Sequence, residues 1–208
     1  KLILLFLFEN KIITVNKNIY KKIMNIKEIN GRYFSHFFYP EIKEFVDKEQ
    51  IAKIESDILS KNSEILDHFE EKQKKGENDS KICHLIRNDL VEEFIADINR
   101  LNIPLKSKIK QSIFETNAFL IENKPSLIEY AAFFGSIQIF RFLQMNGVEL
   151  KPSLWLYVIH SNNPEMIHFL EENDVKPNDK DEFDKPLEEA IKCHHNEIAD
   201  YIENCLMN

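Results

Sequence analysis

The last third of this chain repeats itself. Residues 126–150 read SLIEYAAFFGSIQIFRFLQMNGVEL, and residues 153–177 read SLWLYVIHSNNPEMIHFLEENDVKP. Laid over each other with a shift of 27, Leu127 falls on Leu154, Tyr130 on Tyr157, Phe142-Leu143 on Phe169-Leu170, Asn146 on Asn173 and Val148 on Val175. A looser third copy follows, with Ala190 standing where Val158 and Ala131 stand before it. The copies lie near residues 125–150, 152–177 and 185–206. A period of this size marks stacked supersecondary units and outranks any local helix or strand signal, because one such unit cannot bury its apolar face without a neighbour. Stacks of this kind present an extended surface to a partner.

Each of the two clean copies reads as helix, tight turn, helix. In the first, Gly135 closes the leading helix, since glycine enters the left-handed cap conformation without steric cost. Ser136 is then placed to cap the helix that follows. The second copy puts Asn162 at the glycine position, Asn163 at the cap and Pro164 at the first helical residue. Asparagine tolerates the left-handed region and is a good N-cap. Proline at the first helical position gives up no hydrogen bond that the helix needs. Two different sequences meet one backbone requirement at one register, which predicts helical hairpins.

Residues 185–198, KPLEEAIKCHHNEI, resemble the ankyrin signature Thr-Pro-Leu-His-x-Ala-Ala-x-x-Gly-His with its Glu-Ile/Val helix start. Residues 130–136, YAAFFGS, are similar to its Ala-Ala-x-x-Gly portion. From Ile82 to Tyr201 the chain resembles the divergent ankyrin-type domain of unknown function that is expanded in anaerobic flagellate protists. The phrases SLIEYAAFFGSIQIF, SLWLYVIHSNNPEMIHFLEEN and EAIKCHHNEIADYI carry that likeness, and Phe38–Phe45 with the N-terminal helices is similar to the family's leader. The resemblance implies an all-α protein: an ankyrin-like helical-hairpin solenoid over residues 81–208, preceded by an N-terminal helical segment over residues 1–80. Departures from the pattern carry expectations of their own. An ankyrin period is about 33 residues, whereas Ala131 to Val158 spans 27. The deficit falls between Gly147 and Pro152, where a β-hairpin finger would lie, so a short loop is expected there. From Val158 to Ala190 the spacing returns to 32, and Asp181-Glu182-Phe183-Asp184 partly restores a hairpin sequence. His194 replaces Gly135 in the third copy, which predicts the same turn at some loss of stability.

Upstream of the repeats the apolar periodicity is helical. Ile51, Ile54, Ile58, Ile65 and Leu66 give Lys48–Leu66 an amphipathic stripe. Pro40 precedes a helix start with Glu41 in its first turn and Ile42, Phe45 and Val46 on its apolar side. Tyr33, Phe34, Phe37, Phe38 and Tyr39 form an aromatic patch expected to pack in a core; a stacking platform for bases would need positive charge beside it. The polar stretch Gln73–Lys81, with Gly76, Asn78 and Asp79, is the best boundary. Val91, Phe94, Ile95 and Ile98 then mark one helix, and a second is expected from Ser107 to Glu122, between the breakers Pro104 and Pro125.

A formal charge of −8 argues against a phosphate-binding surface, because nucleic-acid affinity rests on lysine and arginine displacing counterions. The densest basic run, Lys72, Lys74 and Lys75, is flanked by Glu70, Glu71 and Glu77. Cys83, Cys193 and Cys205 make no disulfide framework and suit a reducing, cytoplasmic setting. The apolar run Leu2–Phe8 is too short to span a bilayer, and Glu9, Asn10 and Lys11 follow it in place of a cleavage site. It is read as a buried helix whose natural start lies upstream, in a protein with no membrane partner.

No convergent catalytic set stands out. Cys83-His84 are helical neighbours whose side chains diverge by about 100°, and four scattered glycines build no phosphate-cradling loop. Cys193, His194 and His195, with Cys205 and His168, have the residue types of a zinc site but lack two short-spaced ligand pairs. Neither a metal nor any other cofactor is therefore expected, and the acidic clusters read as solvated faces. Trp155 is expected in the core. In ankyrin proteins the two variable positions after each alanine pair lie near the concave, partner-facing surface. By resemblance these are Phe133 and Phe134, His160 and Ser161, and Lys192 and Cys193. An exposed phenylalanine there would be a large apolar anchor; packed beneath the preceding helix, it would be core. The expected function is non-catalytic recognition of a protein partner by a monomer. An adaptor or enzyme with an activity in residues 1–80, and a self-associating structural module, stand as alternatives.

Overall fold

Asn16, Asp47 and Ser80 each accept a backbone N–H one turn on, and each starts a helix there. The computed structural model describes residues 1–26, 33–60, 65–177 and 183–207. In chain order its helices are α1 (Leu2–Glu9), α2 (Lys17–Asn25), α3 (Tyr33–Phe37), α4 (Tyr39–Ile42), α5 (Lys48–Leu59) and α6 (Phe69–Lys75). Next come α7 (Lys81–Arg87), α8 (Val91–Arg100), α9 (Ala118–Asn123), α10 (Leu127–Phe134) and α11 (Ile137–Met145). The last are α12 (Leu154–Ser161), α13 (Pro164–Glu172), α14 (Asp184–Lys192) and α15 (Asn196–Tyr201). The described residues contain no strand, only one isolated antiparallel bridge between Lys108 and Ser126. The protein is all-α. None of the described helices is long and apolar enough to cross a membrane.

Two units divide the chain. The first comprises Lys1–Asp79 together with Gln111–Asn123; the second comprises Ser80–Lys110 and Lys124–Asn208. Residues 111–123 thus leave the repeat region and join the N-terminal unit.

In the first unit the aromatic patch is core. Phe37 and Phe38 are fully buried, with ring centroids 5.0 Å apart edge to face, and Phe69 meets Phe114 at 4.9 Å in the same manner. The side chain of Tyr33 lies outside the described residues. Ile42 and Val46 are buried as the stripe predicted, but Phe45 is exposed. Ile54 and Ile58 carry the buried side of α5; the expected continuation toward Leu66 runs through residues 61–64, outside the described residues. Buried Gln73 donates from Nε2 to the Phe37 carbonyl at 2.8 Å and to the Glu41 carboxylate at 3.1 Å. Gly76 closes α6 at φ +66°, and a Cβ there would stand 2.8 Å from Thr116 Oγ1. α1 departs from expectation: Leu5 is buried, but Ile3 is 80% and Phe6 57% exposed. A short helix lying on one side of the core buries only the residues that face it.

The helix expected from Ser107 to Glu122 is reduced to Ala118–Asn123. Local polar groups claim the backbone that the helix would have used. Ser112 Oγ accepts from Phe114 N, and Glu115 Oε1 accepts from both Thr116 N and Asn117 N. At the base of the excursion, Ile109 N donates to Pro125 O at 2.7 Å and Leu127 N to Ser107 O at 3.0 Å, which ties its two ends together.

The second unit holds four helix pairs: α7/α8, α10/α11, α12/α13 and α14/α15. α7 packs on α10, α10 on α12, and α12 on α14, forming one row; α8 packs on α11 behind it. Each pair turns at a left-handed residue: Asp89, Gly135, Asn162 and His194, with φ of 49°, 69°, 50° and 59°. Gly135 N donates to Ala132 O and Ser136 N to Ala131 O, and the bonds of His194 and His195 to Ile191 O and Ala190 O repeat that scheme. Asn163 caps α13 through Glu165 N, with Pro164 first in the helix. Ser136 departs from expectation, because its hydroxyl donates to the Ile86 carbonyl at 2.5 Å instead of capping α11. The cap comes from the previous pair: Asp89 Oδ2 and Oδ1 accept from Gln138 N and Ile139 N at 3.0 and 2.9 Å.

The three aligned positions Ala131, Val158 and Ala190 are all fully buried, so the small residues lie where the row of helices packs. Trp155 is buried, meets Phe183 edge to face at 5.0 Å, and donates Nε1–H to Val175 O at 2.7 Å. Burying side chains of this size contributes about 1.5–3 kcal/mol each. Residues 147–153 join α11 to α12 without a strand, as a bare loop. The hairpin expected around Asp181 and Glu182 lies outside the described residues.

Candidate functional site

The row α7, α10, α12 and α14 is built so that the last turns of successive helices lie side by side. The variable positions singled out by their place in the repeat fall on those turns, but they are not equally accessible. Phe133 is 9% exposed; its ring stacks on the His160 imidazole at 4.7 Å and 28° and meets Phe134 edge to face at 5.0 Å. It is therefore not an exposed anchor, because the end of the next leading helix covers it. Phe134 is half-buried over Tyr130, 4.8 Å between centroids, with the Arg87 guanidinium 5.9 Å from its ring centre. Arg87 also donates to the Tyr130 hydroxyl at 2.8 Å. Ser161 is half-buried, and its hydroxyl donates to Val158 O at 2.6 Å. Lys192 is 64% exposed, with Nζ 3.6 Å from both Glu188 and Glu189.

Two members of that set meet across the junction of α12 and α14. His160 Nε2 lies 2.9 Å from Glu189 Oε1, and Cys193 Sγ lies 3.4 Å from His160 Nδ1. Glu189 and Cys193 are one helical turn apart: Cys193 N–H donates to Glu189 O at 2.9 Å, which points both side chains to the same face. One imidazole, arriving from the previous pair, sits between a thiol and a carboxylate. The His195 ring bonds through Nδ1 to Ile159 O at 2.8 Å and braces the same junction.

Burial sets the protonation at this cluster. It pushes the His160 pKa below the usual value of 6.5, outweighing the Glu189 carboxylate, which pulls it up, while the nearby His195 pushes it further down. The neutral ring donates Nε2–H to Glu189 and keeps Nδ1 as an acceptor toward the thiol. Burial, and next the Glu189 charge, raises the Cys193 thiol, with Lys192 opposing. The resting state is a neutral thiol beside a neutral imidazole, the reverse of an activated thiolate.

The other candidates stay apart. His194 and Cys205 are exposed, and His168 lies at the surface beside Glu171 and Glu172, 3.6 and 3.3 Å away. Cys83 is buried in α7. A separate groove of about 580 Å³ between α13 and α15, lined by Pro164, Ile167, His168, Glu171, Ile198 and Tyr201, has an apolar floor and an acidic rim. Glu189 escaped notice in the sequence because it occupies the position of Tyr130 and Tyr157. The one signal in the sequence is a carboxylate four residues before Cys193, on the same helical face; its approach to His160 comes from the stacking of the two pairs. Comparison of the chain with protein-family models, curated proteins and solved structures finds no match.

Proposed function

We propose that the second unit is a short ankyrin-like solenoid whose function is non-catalytic recognition of a protein partner. The observation that carries this reading is the recurrence of one turn in four helix pairs. Asp89 and Gly135 lie 46 residues apart, but without the 13 residues of the excursion Gln111–Asn123 the separation is 33. That equals the ankyrin period of about 33, and the later intervals, Gly135 to Asn162 and Asn162 to His194, are 27 and 32. The sequence repeat that begins at residue 126 thus extends back to Ser80 once the excursion is set aside.

The recognition surface follows the ends of the leading helices. Phe134, Ser161 and Lys192 form its accessible part, with Ile191, 58% exposed, beside them. Phe133, His160 and Cys193 lie beneath and hold it in shape. An apolar ring with the Arg87 guanidinium beside it suits a partner that offers an aromatic or aliphatic anchor together with an acidic group.

Affinity capture from native lysate tests the proposal by comparing the protein with its Phe134→Ser/Lys192→Glu variant, each checked by circular dichroism. A specific protein held by the first and lost by the folded variant supports the reading. Equal capture by both places the surface elsewhere, and a mass in solution that rises with concentration, with nothing captured, favours self-association.

A further inference from the structure

We propose that His160, Glu189 and Cys193 form a binding site for a borderline divalent cation, Zn²⁺ by preference, that clips the α12/α13 pair to the α14/α15 pair. Their potential ligand atoms all lie within 4.8 Å of one another, and all three residues are partly buried. A tetrahedral zinc site, with Zn–N and Zn–O near 2.0–2.1 Å and Zn–S near 2.3 Å, has edges between ligands of about 3.3–3.6 Å. The Sγ to Nδ1 separation of 3.4 Å already matches such an edge, while the Nε2 to Oε1 separation of 2.9 Å is shorter, as for a hydrogen bond.

The ring turns a different nitrogen toward each neighbour, so bringing three donors onto one ion takes a rotation of the Glu189 side chain toward the thiol. Exposed Lys192, 3.6 Å from Oε2, is a second charged neighbour of this carboxylate and can follow its movement. Glu189 and Cys193 lie one turn apart on one helix, and His160 arrives from the next, so two rigid elements fix all three donors. The donor set itself selects the metal. Thiolate and imidazole favour zinc-like ions over magnesium or calcium, and a single carboxylate adds charge without hardening the site.

Binding replaces the thiol proton: the Cys193 S–H bond breaks, a bond from sulfur to metal forms, and one proton passes to solvent. The fourth position is left for water or for a donor brought by a partner. A site formed between consecutive repeats would not be found from neighbours in the chain, because His160 and Cys193 are 33 residues apart.

Cobalt(II) titration of the full-length, reduced and chelator-stripped protein in a Cys205→Ser background tests the proposal, since Cys205 is the exposed thiol. A charge-transfer band from thiolate to cobalt is expected to saturate at one equivalent and to vanish when Zn²⁺ is added. Cys193→Ser should abolish the band. Glu189→Gln, which retains a hydrogen-bond acceptor for His160, should weaken binding by at least the roughly 10–100-fold that loss of an outer-shell partner produces. Circular dichroism establishes that each variant is folded, and Glu189→Gln alone decides the matter if Cys193→Ser is not. The proposal is overturned by the absence of a band in the folded parent. It is equally overturned by a band that survives Cys193→Ser, or by unchanged affinity in Glu189→Gln.

Discussion

Asp89 should stabilise a helix that is not its own. Its two carboxylate oxygens accept the N–H groups of Gln138 and Ile139 at the start of α11, where Ser136 has turned its hydroxyl to Ile86. Loss of an N-cap costs about 0.5–2 kcal/mol, and a negative charge at a helix N-terminus adds about 0.3–1 kcal/mol. Asp89 is itself left-handed, at φ 49°, a conformation that disfavours an alanine by about 1–2 kcal/mol. Asp89→Gly therefore removes the cap and its charge while leaving a residue that tolerates the left-handed backbone, for a loss of about 1–3 kcal/mol. Asp89→Ala removes the same cap and adds the strain that aspartate tolerates better than alanine, for about 2–5 kcal/mol. Asp89→Asn retains one acceptor and loses the charge, for about 0.5–1 kcal/mol. Because two units need not unfold together, urea denaturation is best read alongside hydrogen exchange at the Gln138 and Ile139 amides. A glycine variant as stable as the parent, with those amides equally protected, would refute the capping argument.

Three further outcomes follow from the same geometry. Trp155→Phe leaves the buried Val175 carbonyl without the indole donor and opens a gap beside Phe183; a loss of about 2–3 kcal/mol is expected in thermal or chemical unfolding of the second unit. Gly76→Ala should destabilise the first unit more than Gly135→Ala destabilises the second. Both glycines have positive φ, but the new Cβ meets Thr116 Oγ1 at 2.8 Å in one and its nearest neighbour at 3.4 Å in the other, a difference that unfolding curves of the two variants measure. Metal-free stability should fall as pH drops below about 6.5, because the folded protein holds His160 below its unfolded pKa. The full contribution is present above the unfolded value and is lost as protons bind toward the folded one. His160→Gln should flatten that part of a plot of melting temperature against pH.

The helical hairpins were legible in the sequence because left-handed turns restrict residue choice. Glycine at 135, asparagine at 162 and histidine at 194 announce one backbone conformation in three ways. Asp89 has the same turn at φ 49°, yet α7/α8 did not register as a repeat, since thirteen residues of another unit intervene before the next copy. The helix expected from Ser107 to Glu122 is cut short because Ser112 and Glu115 offer hydrogen bonds that compete with it and Asn117 caps a later start, and the breakers Pro104 and Pro125 that bound the stretch do not record that competition. Ser136 and Asp89 exchange the roles that chain order would assign, a cap supplied from the neighbouring pair. The ankyrin resemblance implied a variable position for Phe133, but its burial depends on the His160 ring of the next helix pair. The same applies to the thiol, imidazole and carboxylate cluster, in which the donors become neighbours only when two repeats stack.

The most direct test of recognition by the helix row is hydrogen–deuterium exchange of the captured complex against the free protein. The account predicts slowed exchange at the ends of the leading helices, around Phe134–Ser136, Ser161–Asn163 and Lys192–His195, with little change along the outer faces of α11 and α13. Protection confined to the first unit, or spread over α11 and α13 with the row unaffected, would contradict it.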